Sequence, residues 1–83
     1  MDEKVPKVGE FWRHRNGNLY MVTLLTNLQS ERPHSYPITV VYVGSNHYVW
    51  SRPLWDWHRS MTYCPEVKTW PSNALNVQDQ AHL

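Results

Sequence analysis

Three tryptophans, an arginine and a histidine fall within the stretch Val49-Trp50-Ser51-Arg52-Pro53-Leu54-Trp55-Asp56-Trp57-His58. Indole faces stack on planar groups, and guanidinium forks hold phosphate or carboxylate oxygens. Trp50 and Arg52 are two residues apart, so in a strand they project from the same side. Earlier in the chain, Arg13 and His14 add a guanidinium and an imidazole, and Tyr42 adds another ring. The candidate ligand-binding set is therefore Arg13, His14, Tyr42, Trp50, Arg52 and Trp55. The same residue types dominate protein-binding hot spots, so the pattern fits a planar anionic ligand or a protein partner. A purely structural reading also exists, in which Arg13 and Arg52 pair with Glu10 and Asp56 or lie over tryptophan rings as cation–π contacts.

Catalytic chemistry finds no comparable support. Cys64, followed by Pro65, could face His58, but nothing nearby supplies an orienting third group or an oxyanion donor. Glu10, Glu31 and Asp56 belong to three separate elements. The histidines His14, His34, His47, His58 and His82 show no His-x-x-x-His spacing, and a single cysteine excludes a cysteine-based zinc site. The expectation is a protein that is not an enzyme and carries no cofactor and no metal.

Composition sets further bounds. Eighty-three residues make one domain, and a domain that small needs large side chains to bury enough surface. Five Trp, five Tyr and one Phe supply them. A net charge of +1 argues against coating long nucleic acid. Even so, Arg13, Arg15, Arg32, Arg52 and Arg59 face only Glu10, Glu31 and Asp56 between Gly9 and Tyr63. The lone cysteine, the absence of a long apolar run and an N-terminus without a signal-peptide pattern lead to the expectation of a cytoplasmic protein with no membrane partner.

The elements that must position the set read as follows. Residues 1–8, polar and containing Pro6, are expected to form a flexible arm, residues 9–63 an SH3-like β domain, and residues 64–83 a loosely packed tail with Trp70 its one docking group. Glu10 to Arg15 alternates like a strand, with Trp12 and His14 on one side and Phe11, Arg13 and Arg15 on the other. Asn16-Gly17 or Gly17-Asn18 then supplies a hairpin turn. Leu19 to Thr26 forms a second strand, with Tyr20, Val22 and Leu24 on one face and Leu19, Met21, Thr23 and Leu25 on the other. Apolar residues on both faces predict that it is covered twice or curved. A polar connection from Asn27 to Pro37 leads to the β-branched strand Ile38 to Val43. Gly44-Ser45-Asn46 turns the chain into His47 to Arg52, which Pro53 ends. Leu54, Trp57 and His58 share one face of a short helical turn, and Met61 to Tyr63 makes a last strand. The pattern predicts a mainly β fold, a small SH3-like barrel of four to five strands with one short helical turn. Across its mouth the first and fourth strands would bring Arg13 to Trp50 and Arg52.

The order Gly9, Trp12-Arg13-His14, Gly17-Asn18, Tyr20, Val22, Val40-Val41-Tyr42, Trp50-Ser51-Arg52-Pro53-Leu54 and Trp57 resembles the small bacterial and phage family filed as domain of unknown function 1653. The resemblance spans Gly9 to Tyr63. Two places depart from it: Arg15-Asn16-Gly17 stands where a lysine is usual, and the Asn27 to Pro37 loop is longer, with Pro33 and His34 in place of an acidic stretch. The resemblance implies a compact β fold and a bacterial or phage origin, and no activity. The functional expectation is a non-enzymatic binding module that holds a nucleotide-like ligand, one form being sequestration of a host signalling nucleotide. The alternative is an accessory protein that modulates a host protein through a Trp-rich surface. Exposed sheet edges would allow pairing between chains, and the oligomeric state is not specified.

Overall fold

The longest strand of the computed structural model, β2 (Leu19–Thr26), lies in the middle of a single antiparallel sheet. On one side it pairs with β1 (Phe11–His14), and beyond that lies β5 (Met61–Tyr63). On the other side it pairs with β3 (Thr39–Gly44), followed by β4 (Val49–Pro53). The strand order is thus β4-β3-β2-β1-β5, and a 3₁₀ helix (Leu54–Arg59) carries the chain from one edge strand to the other. This is the expected mainly β fold, five antiparallel strands in one open, barrel-like sheet with one short helical turn. The structure describes residues 3–72.

A bulge divides β2. Val22 pairs with Tyr42 and Leu24 pairs with Val41, so Thr23 is an extra residue that reverses the alternation. As a result Leu25 joins Tyr20 and Val22 in packing on the core, while Leu24 is 57% exposed. The expected grouping of Leu24 with Tyr20 and Val22 is corrected accordingly, because simple alternation has no place for the extra residue.

The main core is aromatic. Trp57, from the 3₁₀ helix, meets Trp12 edge-on at 5.5 Å and Tyr42 at 5.1 Å, and Tyr20 meets Tyr42 at 5.3 Å. Each such pair contributes about 0.5–1.5 kcal/mol beyond the area it buries. Val22, Val40 and Met61 fill the spaces between the rings. The other face of the sheet carries a second cluster of Phe11, Leu19 and Cys64, covered by Met21, Val67 and Trp70.

Both ends of the described chain are attached: the N-terminal arm, expected to be flexible, lies on the body, and Trp70, the docking group expected of the tail, packs on Phe11. Pro6 is fully buried, Gly9 donates its N–H to Val22 O at 2.8 Å, and Glu10 accepts the Lys7 N–H at 2.8 Å and pairs with Lys4 at 2.9 Å. These contacts lay residues 4–10 along the body. After the last strand, the Cys64 N–H donates to Phe11 O at 3.0 Å, and the Trp70 ring stands edge-on to Phe11 at 4.9 Å. The docking of Trp70 covers an apolar face of β1 that would otherwise meet water. The expected loose tail from 73 to 83 lies outside the described residues.

Two of the hairpin turns are built alike. In the first, Gly17 N–H donates to His14 O, and Asn16 Oδ1 accepts the Asn18 N–H. In the second, His47 N–H donates to Gly44 O, and Asn46 Oδ1 accepts the Tyr48 N–H. The left-handed position is held by Gly17 at φ 96° in one and by His47 at φ 71° in the other. Glycine takes that conformation freely and histidine does not.

Candidate functional site

The fold separates the six candidate residues. Tyr42 is fully buried in the aromatic core, and His14 is buried with its Nδ1 accepting the Asn16 N–H at 3.0 Å. Both rings hold the barrel together. Trp50 lies across from Tyr42 on β4 and packs half-buried against the core, with Arg52 two residues on, across from Val40. Arg13 does not join them. β2 and β3 intervene between β1 and β4, and Arg13 belongs to the sheet face opposite Trp12. Its Nη1 donates instead to Gly17 O at 2.8 Å, inside its own turn. The shared site at the barrel mouth is therefore corrected: a pairing of first and fourth strands would be needed, and β1 pairs with β2 and β5.

The ion pairs also differ from the structural reading. Glu10 holds Lys4 rather than Arg13, and Asp56 holds Arg59 rather than Arg52. Glu10 Oε1 also accepts from the Trp12 indole at 3.2 Å. Burial pushes the Glu10 carboxyl up, but the hydrogen bonds from Lys4, the Lys7 backbone and Trp12, with the Lys4 charge, more than offset this and leave it below its ordinary value.

Trp55 is the member of the set that faces outward, at 78% exposure. Three residues per turn place Leu54 and Trp57 on the inner side of the 3₁₀ helix and turn Trp55 away. The Leu54 N–H donates to Ile38 O at 2.8 Å, which fastens the start of the helix to the entry of β3. Along this seam Trp55, Leu54, Ile38, Pro37 and Pro33 line an apolar groove of about 300 Å³. Its other bank is the 27–38 connection, where Asn27 Nδ2 donates to Pro37 O at 2.8 Å and the Ser35 and Tyr36 N–H groups both donate to Arg32 O. The two prolines went unrecognised as lining residues. Their signal was a pair of φ-locked residues flanking a polar loop that ends at a strand.

At the far end of the helix the charges gather. Arg59 grips Asp56 with Nε at 2.7 Å from Oδ1 and Nη2 at 3.2 Å from Oδ2. This hydrogen bond, with the charges of Arg59, Arg52 and Arg15, holds the Asp56 carboxyl below its ordinary value against the effect of burial. Among the described residues no group of three histidine, cysteine or carboxylate side chains is placed to hold a metal ion, and no helix is long and apolar enough to cross a membrane.

No family model, curated protein or solved structure matches this chain, so the resemblance to domain of unknown function 1653 rests on the short motifs quoted above.

Proposed function

We propose that this chain is a non-enzymatic binding module that docks a partner protein in the groove beneath Trp55. The observation that carries the reading is the outward indole, 78% exposed on an apolar bank of prolines and aliphatic side chains. A large ring covers roughly 150–250 Å², and burial at about 25 cal/mol per Å² favours whatever covers it. Tryptophan is also over-represented among residues that carry binding energy at protein interfaces. Pro33 and Pro37 stiffen the opposite bank, so little chain entropy is lost on binding. In the bacterial or phage setting that the resemblance implies, the partner would be a host protein.

A nucleotide-like ligand is the second reading, and Arg52 is the observation in its favour. Its indole neighbour Trp50 packs on the core, so the stacking surface for a base would be Trp55 rather than Trp50. The test is a paired capture. Wild-type and Trp55→Ala proteins are immobilised, exposed to bacterial lysate and to a nucleotide extract, and any bound species is identified by mass spectrometry and re-measured as a purified component. A polypeptide that binds the wild type and loses at least tenfold in affinity with Trp55→Ala, at unchanged melting temperature, supports docking. Retention of a nucleotide alone, equal in both proteins, would remove the groove from the function.

A further inference from the structure

β4 is an edge strand, first in the order β4-β3-β2-β1-β5. Which of its backbone groups face outward follows from the ladder on its inner side. Gly44 N–H donates to Tyr48 O at 3.0 Å, and Leu54 N–H donates to Ile38 O at 2.8 Å. In an antiparallel ladder, hydrogen-bonded pairs alternate with open ones. Between those two fixed ends Tyr42–Trp50 and Val40–Arg52 are therefore the bonded pairs, and Val43–Val49 and Val41–Ser51 the open ones. Val49 and Ser51 thus turn both N–H and C=O away from β3. Among the described residues no hydrogen bond reaches those outward groups.

Sheet edges are commonly guarded by a lysine, a bulge or a covering segment. The register of β4 with β3 runs unbroken from Val43–Val49 to Thr39–Pro53, so no bulge twists this edge away. Its outer side chains are uncharged: Tyr48 is 50% exposed, Val49 is 67% exposed, and Ser51 is exposed. Arg52, its one charged residue, is buried. Pro53 lacks an N–H and closes only the far end. Val49 also ends a row that crosses four strands, Phe11–Met21–Val43–Val49. Trp70 packs on the first part of that row and leaves Val49 open.

We infer that β4 pairs antiparallel with β4 of a second copy of this chain, about a two-fold axis at Trp50, joining two five-stranded sheets edge to edge. The outward pattern is self-complementary, as an isologous contact requires. Val49 falls opposite the partner's Ser51, and Ser51 opposite the partner's Val49. Every outward N–H and C=O of the two residues is then used. Trp50 falls opposite the partner's Trp50 as an open pair, consistent with its backbone being committed to β3. Arg52 falls opposite the partner's Tyr48, so like charges do not meet at the seam. Few residues take part, which places the contact at the low end of interface size, and a dissociation constant of about 10 µM to 1 mM is expected. The contact uses the outer edge of β4 and not the seam between the helix and the 27–38 connection. It therefore stands or falls apart from the Trp55 groove.

The experiment follows the full chain by sedimentation from about 1 µM to 1 mM, with amide exchange read at both ends of the range. The mass should rise toward that of two chains. The Val49 and Ser51 amides should exchange fast in the dilute protein and slow as the dimer forms, while those of Trp50 and Arg52, already bonded to β3, should change less. Ser51→Pro removes an outward N–H and leaves the β3 ladder intact, since proline is tolerated at such edge positions. Each exchanged pair loses a bond, so association should weaken at least tenfold. Val49→Lys, at an exposed position, sets two like charges diagonally across the axis and should weaken association several-fold, more at low salt. A mass that stays monomeric throughout overturns the inference, as does self-association that leaves the Val49 and Ser51 amides unchanged. Should Ser51→Pro melt below wild type, the Val49→Lys protein decides: dimerisation equal to wild type at low salt overturns the inference.

Discussion

Replacing Glu10 with alanine tests how the N-terminal segment is held. The carboxylate accepts from Lys7 N–H at 2.8 Å and from the Trp12 indole at 3.2 Å, and it pairs with Lys4 at 2.9 Å. Trp12 is buried, so losing its acceptor leaves an indole N–H unsatisfied, at a cost of about 1–3 kcal/mol. The Lys4 pair is partly exposed and contributes at most about 1 kcal/mol. Glu10→Ala should therefore destabilise the fold by about 1–4 kcal/mol, a drop of roughly 4–30 °C in melting temperature for a chain of this size. Glu10→Gln keeps a neutral acceptor and should cost less. The pH dependence follows from the lowered carboxyl. Its contribution is fully present above the ordinary value of 4.5 and is lost as pH falls through the lower folded value. Urea melts of wild type and Glu10→Gln at a series of pH values should thus converge on acidification. An alanine variant within about 1 kcal/mol of wild type at neutral pH, or a gap between wild type and Glu10→Gln that persists unchanged at about pH 3, would refute the clamp.

Two further substitutions have expected outcomes. His47→Gly relieves a left-handed histidine at the tip of the β3–β4 turn and should stabilise the protein by about 0.5–1 kcal/mol in chemical denaturation; a loss of stability would mean that the imidazole makes contacts worth more than the strain. Cys64→Ala removes a buried sulfur that packs with Phe11 and Leu19, which should cost about 1 kcal/mol in a thermal melt and leave binding unchanged; a binding defect without a melting defect would give the thiol a role that its burial does not suggest.

The strands and the 3₁₀ turn were legible because their signals are local. Gly17 and the β-branched run at Val40 to Val43 act over a few residues, and β2 and β5 fall at their expected bounds. The face of Leu24 was not legible, since a bulge is a property of two strands in register and a single strand does not reveal it. The attachment of Pro6 was hidden for a related reason: it docks on a surface that exists only after the sheet has formed. In the candidate site, Trp55 was marked by composition, but Arg13 and Arg52 carry no sequence signal for the two strands that part them. The prolines opposite Trp55 become a lining only when the Leu54 N–H finds Ile38 O.

The pairing of β1 with β5 sets an order of events during synthesis. β1, β2, β3 and β4 can pair with near neighbours as each emerges, but Trp12 stays unflanked on one side until Tyr63 arrives to lie beside it. Trp57, which seals the core, comes just before that strand. The nascent chain thus holds its largest apolar rings without their final cover until almost its last described strand has been made. Contacts between distant parts of a chain form slowly, because the intervening loop must close first. Completion of the barrel therefore waits for β5, and the interval before it is when unpaired edges are most open to a chaperone or to another copy of the chain.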